Sequence, residues 1–183
     1  MASLQVFFKV FIKSDHIFYN SFKTKSLNIH YIYSNMTIIK KISTSETYLV
    51  RLPVLRKGKS IESCQFEGDD LETTHHFGLF LSQELVGIVS LFNKSNPIFF
   101  ENNQHQIRGM AVLDHHQKKD FGKALINYCE EECKNQGVDL IWFNARMVAT
   151  GFYEKMGYQR IGFPFEIPDV GKHITMFKKI NNE

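Results

Sequence analysis

The run Gln106-Ile107-Arg108-Gly109-Met110-Ala111-Val112-Leu113-Asp114-His115-His116-Gln117-Lys118-Lys119-Asp120-Phe121-Gly122-Lys123-Ala124 decides the reading of this chain. Ile107 to Leu113 is apolar and interrupted by one glycine. That pattern predicts a buried strand with a bulge, or a close backbone approach, at Gly109. A polar, lysine-rich turn comes next. Then Phe121, Ala124, Leu125, Tyr128, Cys129 and Cys133 fall at helical spacing. A strand therefore ends, a basic turn intervenes and a helix starts. The first turn of that helix carries backbone N–H groups with no partner in the helix, and the positive end of its dipole. With Lys118, Lys119 and Lys123 around it, the turn is a candidate anion site, most naturally for phosphate. The alternative is a polar turn whose lysines face water, and spacing does not separate the two.

A resemblance does separate them. Gln117 to Leu125 resembles the CoA-pyrophosphate loop of the GNAT superfamily of acyl-CoA-dependent N-acyltransferases, with its pattern Gln/Arg-x-x-Gly-x-Gly/Ala. Arg108 to Val112 resembles the strand that lies along the pantetheine arm. Downstream, Asn144-Ala145-Arg146, Ala149 and Phe152-Tyr153-Glu154-Lys155-Met156-Gly157-Tyr158 resemble the family's later strand, helix and Gly-aromatic ending. The resemblance covers Met36 to Ile180. It implies an α/β (α+β) fold: a mixed, mostly antiparallel sheet with a splayed parallel central pair and flanking helices. It also implies acetyl-CoA as donor, CoA as product and a primary amine as acceptor, attacked directly without a covalent enzyme intermediate.

By the same resemblance the cofactor contacts fall on Met110, Ala111, Val112, Gln117, Lys118, Lys119, Asp120, Phe121, Gly122, Lys123 and Asn144. Asp120 departs from the pattern, standing where the family has its first glycine. Asp tolerates the left-handed region better than most residues, so the turn is expected to survive. Its carboxylate repels a pyrophosphate unless it points away or caps the helix. Asn144 has two readings, a bond to the cofactor arm or a cap on the next helix.

Tyr153 is the candidate catalytic residue. Amine attack on a thioester builds an oxyanion and expels a thiolate. A backbone N–H near Met110 is placed to steady the first, and a tyrosine hydroxyl to serve the second. A core tyrosine with its hydroxyl satisfied is the competing reading. The central strand lacks the glutamate common in the family. His76, Glu166 and His173 are therefore the candidate bases, and Arg51 and Arg108 a candidate bidentate clamp for an acceptor carboxylate. A non-catalytic acyl-CoA-binding module of the same fold is the alternative function.

The rest of the chain sets bounds. At 183 residues, 43% hydrophobic and 22% charged, it has the length and composition of one globular domain. A net charge of +3 makes no case for nucleic acid. Three cysteines at no metal-like spacing imply free thiols and a reducing, cytoplasmic compartment. Cys129 and Cys133, four apart on one helix face, read as small buried hydrophobes. His75-His76 and His115-His116 set no coordination geometry, so no metal is expected. No run reaches transmembrane length. The acceptor is a small-molecule or peptide amine, and a homodimer is the assembly common in the family.

Residues 1–35 contain four lysines, one aspartate and no glutamate or arginine, unlike the remainder of the chain. They read as an N-terminal extension, with Met36 as the natural start and 36–183 as the acetyltransferase domain. N-terminal sequencing of the native protein tests this. Ser43 to Glu46 predicts a capped helix that Pro53 ends or kinks, and residues 57–74 a loop over the acceptor site. His76 to Leu81 and Leu85 to Phe92 predict a hairpin turning at Ser82-Gln83-Glu84. Gly137 predicts a helix stop, Asp139 to Phe143 a strand parallel to the central one, and 165–173 a loop between the closing strands.

Overall fold

The computed structural model describes residues 37–180. The expected extension and the Met36 start lie outside the described residues. The elements are β1 (Thr37–Ile42), α1 (Thr44–Leu55), β2 (Thr74–Leu81), β3 (Glu84–Asn93), β4 (Gln104–Val112), α2 (Phe121–Asn135), β5 (Leu140–Arg146), α3 (Thr150–Glu154), β6 (Gln159–Ile167) and β7 (Gly171–Lys179). They form one seven-stranded sheet in the order β1-β2-β3-β4-β5-β7-β6. Every neighbouring pair is antiparallel except β4 and β5. This is the mixed sheet the resemblance implied.

The helices lie on opposite faces of the sheet. Helix α2 presents Leu125, Ile126, Cys129 and Cys133 to a core built on Phe77, Leu79, Val89, Leu91, Ile141, Phe143, Ala145, Ile174 and Met176. Each strand contributes alternate residues, as a pleated sheet requires. Both cysteines are buried and unpaired. Burial pushes the Cys133 thiol up to about 12 and Cys129 well above the usual thiol range. They behave as the small hydrophobes expected. Gly137, at φ +65, closes α2, and the Val138 N–H returns to the Cys133 carbonyl at 2.9 Å.

Helix α1 covers the other face, with Val50 against Ile88 and Ala111. Its start is the expected capping box: Ser43 N–H donates to Glu46 Oε2 at 2.7 Å and Glu46 N–H to Ser43 Oγ at 3.3 Å. Pro53 does not end it, and the helix runs to Leu55. Proline removes one hydrogen bond, here in the last turn beside the exposed Leu49, where few bonds remain to be lost.

Two further boundaries move. The hairpin turn shortens to Ser82-Gln83, with Ser82 at φ +60 and Glu84 already in β3. The expected loop 165–173 is mostly strand: Phe165 pairs with His173 and Glu166 with Lys172, leaving only 168–170 as the turn. The register of β6 slips between Ile161 and Phe165, which accommodates Gly162 and Pro164 in an edge strand where a missing N–H is tolerated.

Candidate active site

The central strand carries the expected bulge. Ser90 pairs with Arg108 and Ile88 with Ala111, so Gly109 and Met110 stand opposite the single residue Val89. Gly109 is left-handed at φ +61, and a Cβ there would stand 2.9 Å from Phe66 Cε2 and 3.2 Å from Arg51 Nε. Glycine is required by both the backbone and the space.

Strands β4 and β5 part beyond the bulge. Only Gln104, His105 and Gln106 pair with β5, against Leu140, Ile141 and Trp142. Among the described residues, β4 has no partner on that side from Ile107 to Val112, so a wedge opens between two strand edges carrying N–H and C=O groups.

At the mouth of the wedge, the turn from β4 to α2 is held by Gln117, whose Nε2 donates to the Val112 carbonyl at 3.0 Å and to Asp114 Oδ1 at 3.1 Å. Lys118 and Asp120 are both left-handed, at φ +60. Among the described residues, no acceptor takes the N–H of Lys118, Lys119, Asp120, Phe121, Gly122 or Lys123. Such a row of free amides at a helix N-terminus is a ready-made phosphate cradle. Asp120 keeps the turn, as expected, but its side chain makes no cap bond. A Cβ on Gly122 would meet Phe152 Cζ at 3.4 Å and Met110 Cε at 3.8 Å. The cradle, the bulge and α3 therefore converge.

Tyr153 lies on the α2 side of the sheet. It is 8% exposed, with its ring 4.4 Å from Phe143 and 4.9 Å from Phe152. Its hydroxyl makes no hydrogen bond among the described residues, yet it is not sealed from solvent, unlike the hydroxyl of Tyr158. A satisfied core tyrosine is thus not what the fold provides. Burial raises its pKa, so the phenol stays protonated. Helix α3 ends at Glu154, with Met156 and Gly157 in the turn after it.

The other face holds the candidate acceptor residues, and here the structure corrects several expectations. Arg51 clamps no substrate. It is fully buried and pairs with Asp69 (2.5 and 3.0 Å), Ser90 Oγ (2.8 Å) and the Cys64 carbonyl (2.8 Å). His76 is not an available base. Its Nδ1 lies 2.7 Å from Ser90 Oγ and its Nε2 2.9 Å from the Asp69 carbonyl, so both nitrogens are committed. Burial lowers its pKa and keeps it neutral. Asp69 and Ser90, 18 and 39 residues from Arg51, gave no sequence signal. Glu166 is exposed on the edge strand β6. Asn144 caps no helix; its Oδ1 accepts from Thr175 Oγ1 at 3.1 Å.

His173 and Arg108 have other surroundings. His173 is paired with Arg146 across β5 and β7. It is 4% exposed, and its Nδ1 lies 2.6 Å from the Gly171 carbonyl. A carbonyl only accepts, so Nδ1 carries the proton and Nε2 presents its lone pair. That Nε2 has no partner among the described residues and keeps solvent access. Arg108 donates to the Glu67 carbonyl at 3.1 Å, with its guanidinium over Phe66 and Phe92.

His115 and His116 gain a neighbour that the sequence did not suggest, Glu84, whose carboxylate lies 3.7 and 3.6 Å from them. Among the described residues, no helix is long and apolar enough to cross a membrane.

A splayed parallel pair opening onto a helix-terminal anion cradle defines an acyltransferase class, and comparison with known proteins names it. The Acetyltransferase (GNAT) family matches residues 43–158, and the chain belongs to that family of acyltransferase enzymes. The uncharacterized N-acetyltransferase YitI of Bacillus subtilis (strain 168) is 37% identical over 145 residues, covering 79% of this chain and 97% of the relative. Among solved structures, the ribosomal-protein-S18-alanine N-acetyltransferase of Escherichia coli superposes with a TM-score of 0.62 at 18% identity, over 79% of this chain and 94% of that one. An aminoglycoside 6'-N-acetyltransferase complexed with coenzyme A gives 0.62 at 18% identity, over 80% and 98%. At these identities the likeness concerns the fold.

Proposed function

We propose that the protein transfers an acetyl group from acetyl-CoA to a primary amine by direct attack, in the cytoplasm. The observation that carries this reading is the continuity of the free-amide cradle at 118–123 with the wedge between β4 and β5. The cradle suits a pyrophosphate and the wedge suits the amide groups of a pantetheine arm, which would satisfy the open strand edge as an added strand does. The coenzyme A bound in the structurally similar aminoglycoside acetyltransferase supports the same assignment. The residues present therefore fit the group. Lys118, Lys119, Lys123 and the amides from Lys118 to Lys123 would hold its phosphates, and the β4 edge from Met110 to Val112 its arm.

Bound acetyl-CoA supplies a thioester carbon open to attack by an amine. The Met110 region offers a backbone N–H to the carbonyl oxygen as negative charge develops there. His173 Nε2, held in the accepting tautomer by Gly171, takes the proton that an incoming ammonium must lose. Tyr153 donates a hydrogen bond to the sulfur as it leaves. An ordinary thiol ionises near ~8.5, well below this buried phenol. Tyr153 therefore stabilises the thiolate while retaining its own proton at equilibrium. The acceptor enters from the α1 face, opposite Tyr153. The free thiols of Cys64, Cys129 and Cys133 suit a reducing compartment.

A thermal-shift titration with acetyl-CoA, CoA and ADP, followed by free-thiol release with an amine panel, tests the reading. Ligand binding to the native state raises the melting temperature by mass action. A rise with acetyl-CoA and CoA, then acetylated amine in the mass spectrum, is expected. A flat response to all three overturns the proposal.

A further inference from the structure

Among the described residues, three guanidinium groups on the acceptor face have no carboxylate within 4.0 Å. Arg56 donates only to carbonyls, of Ser63 at 3.0 Å and of Leu55 at 3.1 Å. Arg108 likewise donates only to the Glu67 carbonyl. Arg146, exposed at the end of β5, completes the set. Among the described residues, the arginines within 4.0 Å of a carboxylate are Arg51 and Arg160, and none of these three is among them. Arg56 and Arg108 are anchored on one ring, with their guanidinium carbons 5.1 and 5.0 Å from the centre of Phe66.

Their mutual repulsion leaves a trace. Burial, and then neighbouring charges that include Arg146, pull the Arg56 pKa down from its ordinary value. Arg108 is pulled down by burial; the charges of Asp69 and Glu67 oppose this, and Arg51 and Arg56 add to it. Holding like charges together, partly desolvated, is costly unless an anion joins them.

Arg108 and Arg146 lie on the two strands that border the wedge, and Arg56 shares the Phe66 ring with Arg108. Arg108 immediately precedes the bulge at Gly109-Met110, and Arg146 sits across the splay, paired with His173. On β5, Arg146 and Asn144 alternate with Phe143 and Ala145, which belong to the α2-side core. Arg146 therefore shares the α1 face with Arg108, whose strand neighbour Ser90 bonds Arg51. A planar guanidinium matches a carboxylate in two parallel hydrogen bonds.

We propose that the acceptor is an amine that also carries a carboxylate, held by Arg108, Arg56 and Arg146 while its amino group faces His173. This deepens, and rests on, the acetyl-transfer reading. The sequence pointed to Arg51 and Arg108 as such a clamp. The fold removes Arg51 by pairing it with Asp69 and puts Arg56 and Arg146 in its place.

The test uses matched acceptors that differ only by the carboxylate, such as phenylalanine against phenethylamine and lysine against cadaverine. Initial rates are read as free thiol released from acetyl-CoA by the full chain. Acetyl-CoA binding is measured in parallel by thermal shift. The carboxylate-bearing member of at least one pair is expected to win by tenfold or more in kcat/KM. Arg146→Met, an exposed position, and Arg108→Met, which keeps the packing on Phe66, should each raise KM for that acceptor and shrink the preference toward unity. Binding of acetyl-CoA should be unchanged in both. Equal rates within every pair, a preference for the carboxylate-free amines, or no turnover of any pair while acetyl-CoA still binds would each overturn the carboxylate clamp. Failure to bind acetyl-CoA would instead overturn the acetyl-transfer reading beneath it.

Discussion

Arg51 and Asp69 form a two-point ion pair, at 2.5 and 3.0 Å, with both side chains fully buried. Asp69 Oδ2 also accepts from the Phe66 N–H at 2.7 Å, so one carboxylate ties helix α1 to the loop over the acceptor face. Removing one partner of a buried pair leaves an uncompensated charge, at a cost of about 3–5 kcal/mol. Asp69→Asn is expected to destabilise the fold by that order in a urea titration. Arg51→Met with Asp69→Leu should recover part of the loss, because the double change leaves no buried charge. A single variant as stable as the parent would show that the pair does not hold the fold together.

Tyr153→Phe separates chemistry from folding. The hydroxyl has no partner among the described residues, so its removal leaves no group unsatisfied. The melting temperature and acetyl-CoA binding should stay near those of the parent. The kcat should fall by about a hundredfold, the order lost when one hydrogen-bond donor to a developing charge is removed. An unchanged kcat would return Tyr153 to a packing role.

Gly109→Ala and Asp120→Gly probe the two left-handed turns in opposite senses. At Gly109, alanine meets both a positive φ and a ring at 2.9 Å. The expected loss is ~2–5 kcal/mol, the sum of a left-handed penalty and an overpacking cost. At Asp120, glycine suits the φ of +60 and removes a negative charge from the cradle. CoA should bind about two- to fivefold more tightly, equivalent to ~0.3–1 kcal/mol at a helix terminus. Isothermal titration of CoA decides this, and weaker binding by Asp120→Gly would show that the aspartate assists the site.

Stability should fall on acidification. Burial lowers the pKa of His76, and of His105 with a further push from His75. Above the unfolded value, near ~6.5, both states leave these rings neutral and nothing is lost. Below it the unfolded chain takes up protons that the folded chain refuses, so stability drops as the pH moves down toward the folded values. Melting temperatures from pH 8 to pH 5 should be level at first and then decline, and His105→Gln should decline less. A melting temperature that rises on acidification would contradict the burial of both rings.

Local chemistry accounts for what the sequence alone determined. The bulge at Gly109, the capping box at Ser43 and Glu46, the stop at Gly137 and the strand-turn-helix around Lys118 depend on neighbours a few residues apart. Chain order and the motifs at 108–125 and 144–158 led to the mixed sheet and its splayed pair. Pro53 and the 165–173 segment depart from their local signals because tertiary pairing outweighs local preference. A terminal helical turn spares proline, and β7 recruits a Pro-containing edge strand. The acceptor face was decided only in three dimensions. Arg51, His76, Arg108 and His173 are equivalent as letters. Long-range partners bury the first two with Asp69 and Ser90, while among the described residues Arg108 has no carboxylate within 4.0 Å and His173 Nε2 has no partner. Charge pairing across 18 to 39 residues has no periodicity to read, so the roles of these side chains come from the fold.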